Sequence, residues 1–353
     1  MLGREASERR EYEMLSELAA KAAESRGRRK DEEKCALRTD FQRDRDRIIH
    51  SKALRRLMHK TQVFLAPEGD HFRTRLTHTL EVAQIARSIA RALRLNEDLT
   101  DAIAMGHDLG HTPFGHNGEV FLNERHEGGF RHNEQSLRVA DVLECSETRQ
   151  GMNLTEEVRD GILNHTGKKM PFTLEGQTVK ISDRIAYINH DIDDALRSSV
   201  IVRDELPRDC VESLGGSTTE RINTLVSDIV ENSDGEKMIY QGDECAYYMN
   251  KLRDFMFANV YYSNVVKGDE ELDKVRRLMF SLYDHYMENP GELPAEFGRL
   301  AETHGLAEIV KDHIASMTDR YAIGLYKELS VPTGWKQAWQ RGPSGRGGGP
   351  TAS

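Results

Sequence analysis

The chain of 353 residues is 38% hydrophobic and 31% charged, with a formal net charge of −10; these are the proportions of a globular protein with one large core or two modest ones, not of a disordered chain. The acidic balance argues against a general nucleic-acid binder, and no uninterrupted apolar run approaches the roughly 18 residues that a membrane-spanning helix needs. Cys35, Cys145, Cys210 and Cys245 are scattered without a CxxC pair, and no signal-like apolar segment follows the charged N-terminus, so a reducing, cytoplasmic setting without membrane contact is expected.

Only nine prolines, few alternating apolar–polar runs and apolar positions recurring every three to four residues predict an all-α fold. Residues 1–37, dense in Glu, Arg, Lys and Ala, read as an N-terminal charged helix or arm. Residues 38–200 hold every concentrated polar motif. Residues 201–335 read as further helices packing on that core, and residues 336–353, with their Gly, Pro and Ser, as a flexible tail. Within residues 42–75 stand nine Lys or Arg against four Asp or Glu. Such a basic segment in an acidic chain is expected to gather an anionic ligand.

In THTLEVAQIARSIARALRL, His78, Val82, Ile85, Ile89 and Leu93 share one helical face. His78 therefore points inward, although a lone inward histidine is more often a hydrogen-bonded core residue than a metal ligand. Asn96, followed by Glu97 and Asp98, has the form of an N-cap with an acidic first turn. Leu99, Ala102, Ile103, Gly106 and His107 then share a face, and Gly110 and Pro113 place His107 and Asp108 near the end of that helix. The run HDLGHTPFGHNGE concentrates His107, Asp108, His111, His116 and Glu119. Burying these groups without a ligand costs several kcal/mol, so a metal or an anionic substrate is expected there. A turn marked by Gly115 and Gly118 is expected to open a helix just before Glu119, letting His116 and Glu119 meet.

In VKISDRIAYINHDIDDAL, Ile181, Ile185, Ile188 and Ile192 form an apolar stripe, with Asp183, Tyr187, His190, Asp191 and Asp194 on the other side. A solvent-exposed polar face is the plain reading, while the phenol of Tyr187 points to a cavity wall. Further on, Leu252, Phe255, Met256 and Val260 read as a packing stripe. Two histidines and two carboxylates, His78, His107, Asp108 and Asp183, make a nitrogen–oxygen donor set that suits manganese, iron, cobalt, nickel or zinc better than a pure magnesium cage. The identity of the divalent metal stays open. Such a site lowers the pKa of bound water and polarises a phosphoryl oxygen.

The order H, then HD, then D resembles the HD superfamily, an all-helical fold that binds metal through these four positions. The strings RTRLTHTLEVAQIAR, GHDLGHTPFGHNGE, FRHNEQS, GILNHTG and ISDRIAYINHDIDDAL resemble, more specifically, the deoxyguanosine triphosphate triphosphohydrolase-like family over roughly residues 35–330. The resemblance implies an HD-domain helical bundle with additional C-terminal helices. It implies hydrolysis of a deoxynucleoside triphosphate to the deoxynucleoside and inorganic triphosphate, with attack at the α-phosphorus. By the same resemblance His78, His107, Asp108 and Asp183 are the metal ligands, His116 is the catalytic histidine and Glu119 its acidic partner. His111 and His132 match phosphate contacts, Arg75, Arg184, Tyr187 and Asp191 match residues that hold phosphates and sugar, and Gln62 matches a nucleoside contact. A regulatory nucleotide or single-stranded DNA and a homo-oligomeric state are further family expectations. Two other readings stand beside this one: an HD phosphohydrolase acting on nucleoside monophosphates, cyclic nucleotides or an alarmone, and a nucleotide- or nucleic-acid-binding regulator with little turnover.

Overall fold

The computed structural model of the chain describes residues 3–62, 73–145, 149–261 and 269–332. The expected tail at 336–353 and part of the basic segment, residues 63–72, lie outside them. Asn96 accepts a hydrogen bond from the Leu99 N–H, as its place before an acidic turn predicts, and Thr39, Ser51, Thr74, Thr173 and Ser217 cap other helices in the same way. The result is all-α. Among the described residues the extended pairings are two isolated bridges, Arg28 with Thr155 and Thr61 with Thr74.

The N-terminal half runs through α1 (Arg4–Met14), α2 (Asp40–Ile49), α3 (Lys52–Arg56), α4 (Arg75–Ala92), α5 (Glu97–Gly106), α6 (Gly115–Arg125), α7 (His132–Arg138), α8 (Glu156–Asn164) and α9 (Leu174–Arg197). It is followed by α10 (Arg208–Leu214), α11 (Thr218–Ser233), α12 (Asp243–Met256), α13 (Asp269–Glu288), α14 (Ala295–His304), α15 (Leu306–Ser316) and α16 (Asp319–Ser330). No residue of α1 is buried, but the stretch after it is anchored. Glu157 accepts from Ser25 Oγ at 2.8 Å and the Arg26 N–H at 2.7 Å, and the Arg28 guanidinium pairs with buried Asp44.

α5 is the axis of the larger core. Every residue from Leu99 to Gly106 is buried, with α2, α4, α8 and α9 packed around it. The predicted stripe His78, Val82, Ile85, Ile89 and Leu93 is buried along α4 and its C-cap. α5 and α8 meet through reciprocal glycine–isoleucine contacts: a Cβ on Gly106 would stand 2.5 Å from Ile162 Cδ1, and one on Gly161 would stand 2.5 Å from Ile103 Cδ1. This close approach brings the C-terminal ends of both helices together. A second core joins Phe114, Leu122 and Phe130 to apolar residues of α13, α14, α15 and α16, and α6 packs on α13.

Glu175, at the start of α9, is fully buried and accepts from the Ala20 and Asn96 N–H groups at 3.0 Å each. Burial pushes its carboxyl up to about 7, against the lowering effect of those hydrogen bonds. The folded chain therefore binds an extra proton between about pH 4.5 and 7. The favourable contribution of Glu175 is complete below its unfolded pKa and is lost as pH rises through about 7. Glu175→Gln is expected to stabilise the protein by about 1–3 kcal/mol at pH 8 and to change little at pH 4. Urea denaturation midpoints at the two pH values check this; an equal shift at both would remove the titration as the cause.

Candidate metal centre

α5 ends at Gly106, and its C-cap, His107, turns its Nδ1 back onto the Ala104 carbonyl at 2.7 Å. A carbonyl only accepts, so the proton sits on Nδ1 and Nε2 keeps a lone pair. That Nε2 is buried and has no hydrogen-bond partner in the protein. Around it, Asp108 Oδ1 stands at 3.6 Å and Asp183 Oδ1 from mid-α9 at 3.9 Å, and the centroids of the His107 ring and the His78 ring from α4 are 5.7 Å apart. His78 Nε2 and Asp183 Oδ1 are 3.0 Å apart. Single donor atoms of His78, His107 and Asp108 lie within 4.8 Å of one another. An orphaned imidazole nitrogen among these donors fits a divalent cation, so the four residues expected as ligands are brought to one place.

The electrostatics agree with that fit. Burial raises the Asp183 carboxyl, but the His78 hydrogen bond and the surrounding imidazoles outweigh it and leave it at about 2. Burial likewise opposes ionisation of Asp108, yet His107, His111, Arg75 and His78 hold it well below the usual carboxylate range. Both carboxylates are anionic at neutral pH. Arg75, itself buried, pairs with Asp108 at 2.9 Å and reaches the Gln62 carbonyl at 3.4 Å, so its guanidinium is engaged with a candidate ligand.

The loop after Asp108 turns sharply. Phe114 and Gly115 take left-handed conformations in succession, at φ 63° and 60°, and α6 starts at Gly115 itself. Gly118 thus lies inside the helix, not in the turn expected from the sequence. A glycine is needed there because a Cβ would meet the Pro113 carbonyl oxygen at 1.9 Å. His116 and Glu119 fall on one helical face, with His116 Nδ1 at 3.3 Å from Glu119 Oε2 and the His116 side chain 68% exposed. Glu119 also accepts from the His132 N–H at 2.9 Å and from His132 Nδ1 at 3.0 Å, so one carboxylate orients two imidazoles. These bonds hold the Glu119 carboxyl far below its ordinary value, although burial pushes the other way. His111 stacks on His132 with centroids 4.2 Å apart.

The polar side of α9 is buried against protein, with His190, Asp191 and Asp194 all enclosed. Asp191 accepts from the Tyr261 hydroxyl, and burial pushes its carboxyl up to about 7 despite that bond. Burial also pushes the half-buried Tyr187 phenol up to about 12. Arg184 donates to Asn250 on α12. Gln62 is buried, with Oε1 lacking a partner.

The charges of the basic segment expected to gather an anionic ligand are dispersed, because neighbouring carboxylates take up most of its arginines. Arg43 and Arg47 pair with Glu32, Arg45 with Asp98, and Arg73 with Glu81, Asp193 and Asp194. Lys52, Arg56 and Lys60 instead line a separate cavity of about 490 Å³ that reaches the back of Leu109 and Gly110.

Sequence reasoning assigned no role to His165, the C-cap of α8. It repeats the device of His107, with Nδ1 on the Ile162 carbonyl at 2.7 Å, and its ring lies 5.0 Å from that of His107. Burial pushes its imidazole down to about 3, so it is a neutral group. The shared signal is a histidine followed within three residues by glycine at a helix end, HDLG and HTG. Asp319 was also missed: it accepts from the Phe114 and Thr61 N–H groups at 3.0 Å each and so pins the turn from the far end of the chain.

An all-helical core that joins a histidine, a His–Asp pair and a distant aspartate is the scaffold of an HD-type metal-dependent phosphohydrolase. Residues 75–188 match the HD domain, and residues 240–328 match the phosphohydrolase-associated domain. A deoxyguanosinetriphosphate triphosphohydrolase-like protein of Caldanaerobacter subterraneus subsp. tengcongensis is 58% identical over 332 residues, covering 94% of this chain and 97% of the relative. Proteins of the same description from Desulfatibacillum aliphaticivorans and Clostridium perfringens are 49% and 46% identical, covering 94% and 90% of this chain and 98% and 94% of the relatives. The chain belongs to the deoxyguanosinetriphosphate triphosphohydrolase-like family.

Asp183→Ala is expected to weaken metal retention at least tenfold, since it removes an anionic donor from the set. Elemental analysis after dialysis against a weak chelator reads this directly. Full occupancy in the variant would take Asp183 out of the ligand set.

Proposed function

We propose that the chain hydrolyses deoxynucleoside triphosphates to the deoxynucleoside and inorganic triphosphate, with His78, His107, Asp108 and Asp183 as metal ligands. The observation that carries this reading is the carboxylate of Glu119, which holds the exposed His116 ring 5.1 Å from the ring of His111, whose Nε2 lies 3.5 Å from Asp108 Oδ1. A proton donor and a metal-ready donor set thus share one site. The deoxyguanosine triphosphate in the description of the relatives supports the substrate class.

A divalent ion held by His78, His107, Asp108 and Asp183 would supply an activated water and polarise the phosphoryl oxygen. Water oxygen bonds to the α-phosphorus and releases a proton to solvent as the bond from phosphorus to the sugar 5′-oxygen breaks, and the leaving alkoxide takes a proton. His116 gives that proton from Nε2, because Nδ1 is directed at Glu119. Arg75 and Arg184 add positive charge beside the triphosphate, His111 and His132 meet its phosphates, Tyr187 and Asp191 hold the sugar, and Gln62 meets the nucleoside. The chemistry belongs to residues 38–200. The helices of residues 201–335 position it, and the hydrogen bonds that Arg184 donates to Asn250 and that Tyr261 donates to Asp191 support this. A homo-oligomer and regulation by a nucleotide or single-stranded DNA accompany this reading. The cavity lined by Lys52, Arg56, Arg149 and Arg299, in which basic groups outnumber Glu144 and Glu296, supports an anionic regulator.

Incubation of the metal-loaded protein with each of the four deoxynucleoside triphosphates is expected to release triphosphate as the phosphorus product. Release of pyrophosphate or orthophosphate instead would overturn the assigned bond cleavage. His116→Ala is expected to lower kcat by about 10²–10⁴-fold while leaving nucleotide affinity and metal content near wild type. Unchanged turnover would remove His116 as the acid.

A further inference from the structure

Lys60, between α3 and α4, is 2% exposed, and the chemistry described above leaves its ammonium unused. Burial, and then the nearby Arg56, pull that ammonium down to about 7. A base whose pKa falls on folding destabilises the folded chain below its unfolded value, so at neutral pH the fold carries this group at a cost. Its Nζ donates to two carbonyls, those of His111 and Ala315, the second at 2.8 Å. The Ala315 carbonyl is one of the last four of α15, which have no partner inside the helix.

The main chain of Lys60 reaches the other way. Its carbonyl accepts from the Arg75 N–H at 3.2 Å, and the Arg75 guanidinium pairs with Asp108. Asp108 is thus flanked by two groups that both hang on Lys60, Arg75 through the carbonyl and His111 through the ammonium. The loop around His111 is held elsewhere by the Gly110 N–H on Ser136 Oγ at 2.9 Å and by the Phe114 N–H on Asp319 at 3.0 Å. His111 carries the placement onward, since its ring stacks on His132 at 4.2 Å and lies 5.1 Å from the ring of His116, centroid to centroid.

We infer that Lys60 is a positioning residue for the reaction: by bridging the His111 and Ala315 carbonyls, its ammonium sets the loop that aims His111 and His116 at the substrate. The inference rests on the reading of His116 as the proton donor. A misplacement of about 1 Å costs as much as 10²-fold in rate. Binding by the rest of the pocket survives such a shift, so the loss falls on kcat and not on KM.

The test uses the full, metal-loaded chain carrying Lys60→Met, which keeps the apolar stem and removes the donors. kcat is expected to fall by about 10–100-fold, with KM within about threefold of wild type and metal content unchanged. The amides of Leu109, Gly110, His111 and Phe114 are expected to exchange with deuterium about tenfold faster, while those of α4 and α5 exchange as in wild type. Lys60→Arg keeps two donors, and the cavity of about 490 Å³ beside Lys60 has room for the wider head. It is expected to recover most of the turnover and of the loop protection. Unchanged kcat in Lys60→Met overturns the inference. Faster exchange throughout α4 and α5, or a Lys60→Arg variant as slow as Lys60→Met, overturns it too, because either marks a general loss of packing. A wild type that releases no triphosphate from any deoxynucleoside triphosphate overturns the proposed reaction instead. Loop exchange unchanged in Lys60→Met overturns the role of Lys60 whatever the substrate.

Discussion

The hydrogen bond from His107 Nδ1 to the Ala104 carbonyl governs the centre of this protein. It fixes the tautomer of a buried imidazole at the end of the most enclosed helix, and it satisfies one of the carbonyls that the last turn of a helix leaves without an internal partner. The other nitrogen then has a lone pair and no protein donor to meet it. An unsatisfied buried polar atom costs about 1–3 kcal/mol, and the nearby anionic carboxylates of Asp108 and Asp183 repel each other in the same space. A bound cation resolves both costs. The glycine–isoleucine contacts between α5 and α8 are the packing counterpart of this chemistry, since they bring a second helix end and a second histidine of fixed tautomer alongside the first.

The C-terminal helices hold the site in register. Asp319 pins the turn that starts α6, and thereby the angle at which His116 leaves the helix. Asp312 accepts from Gln135 at 2.8 Å and from Arg138 Nε at 2.8 Å, fixing α7 and with it His132. Lys60 bridges the His111 and Ala315 carbonyls, tying the loop after Asp108 to α15. Ser136 Oγ accepts from the Gly110 N–H at 2.9 Å and donates to the His107 carbonyl at 2.7 Å. A Cβ on Gly110 would stand 2.2 Å from the Ser136 nitrogen, so only glycine lets loop and helix approach this closely. Supporting bonds of this kind orient ligands and commonly matter nearly as much as the ligands themselves.

What was legible in the sequence is what local chemistry dictates. Helical periodicity placed His78 on the buried stripe, the Asn96 cap and the following glycine set the limits of α5, and the density of imidazoles after it marked a site. The remainder depends on partners far apart in the chain. His165 carries the same local signal as His107, yet nothing in its own segment shows that it faces His132. Asp319 and Asp312 lie on ordinary amphipathic helices whose capping and surface acids look alike in sequence. The pairing within the basic segment is hidden for the same reason, because Glu32, Glu81 and Asp194 neutralise its arginines only after folding. Gly118 looked like a turn residue, whereas its small size serves close packing against the Pro113 carbonyl.

The central claim is that the lone pair of His107 Nε2 is a metal ligand. Anomalous diffraction from crystals of the manganese-loaded protein, collected on both sides of the metal absorption edge, tests it most directly. The account predicts an edge-dependent peak within about 2.0–2.3 Å of His107 Nε2, with His78, Asp108 and Asp183 as neighbours. A fully loaded crystal with no peak at that nitrogen, or with His107 Nε2 bonded to a protein group instead, would contradict it.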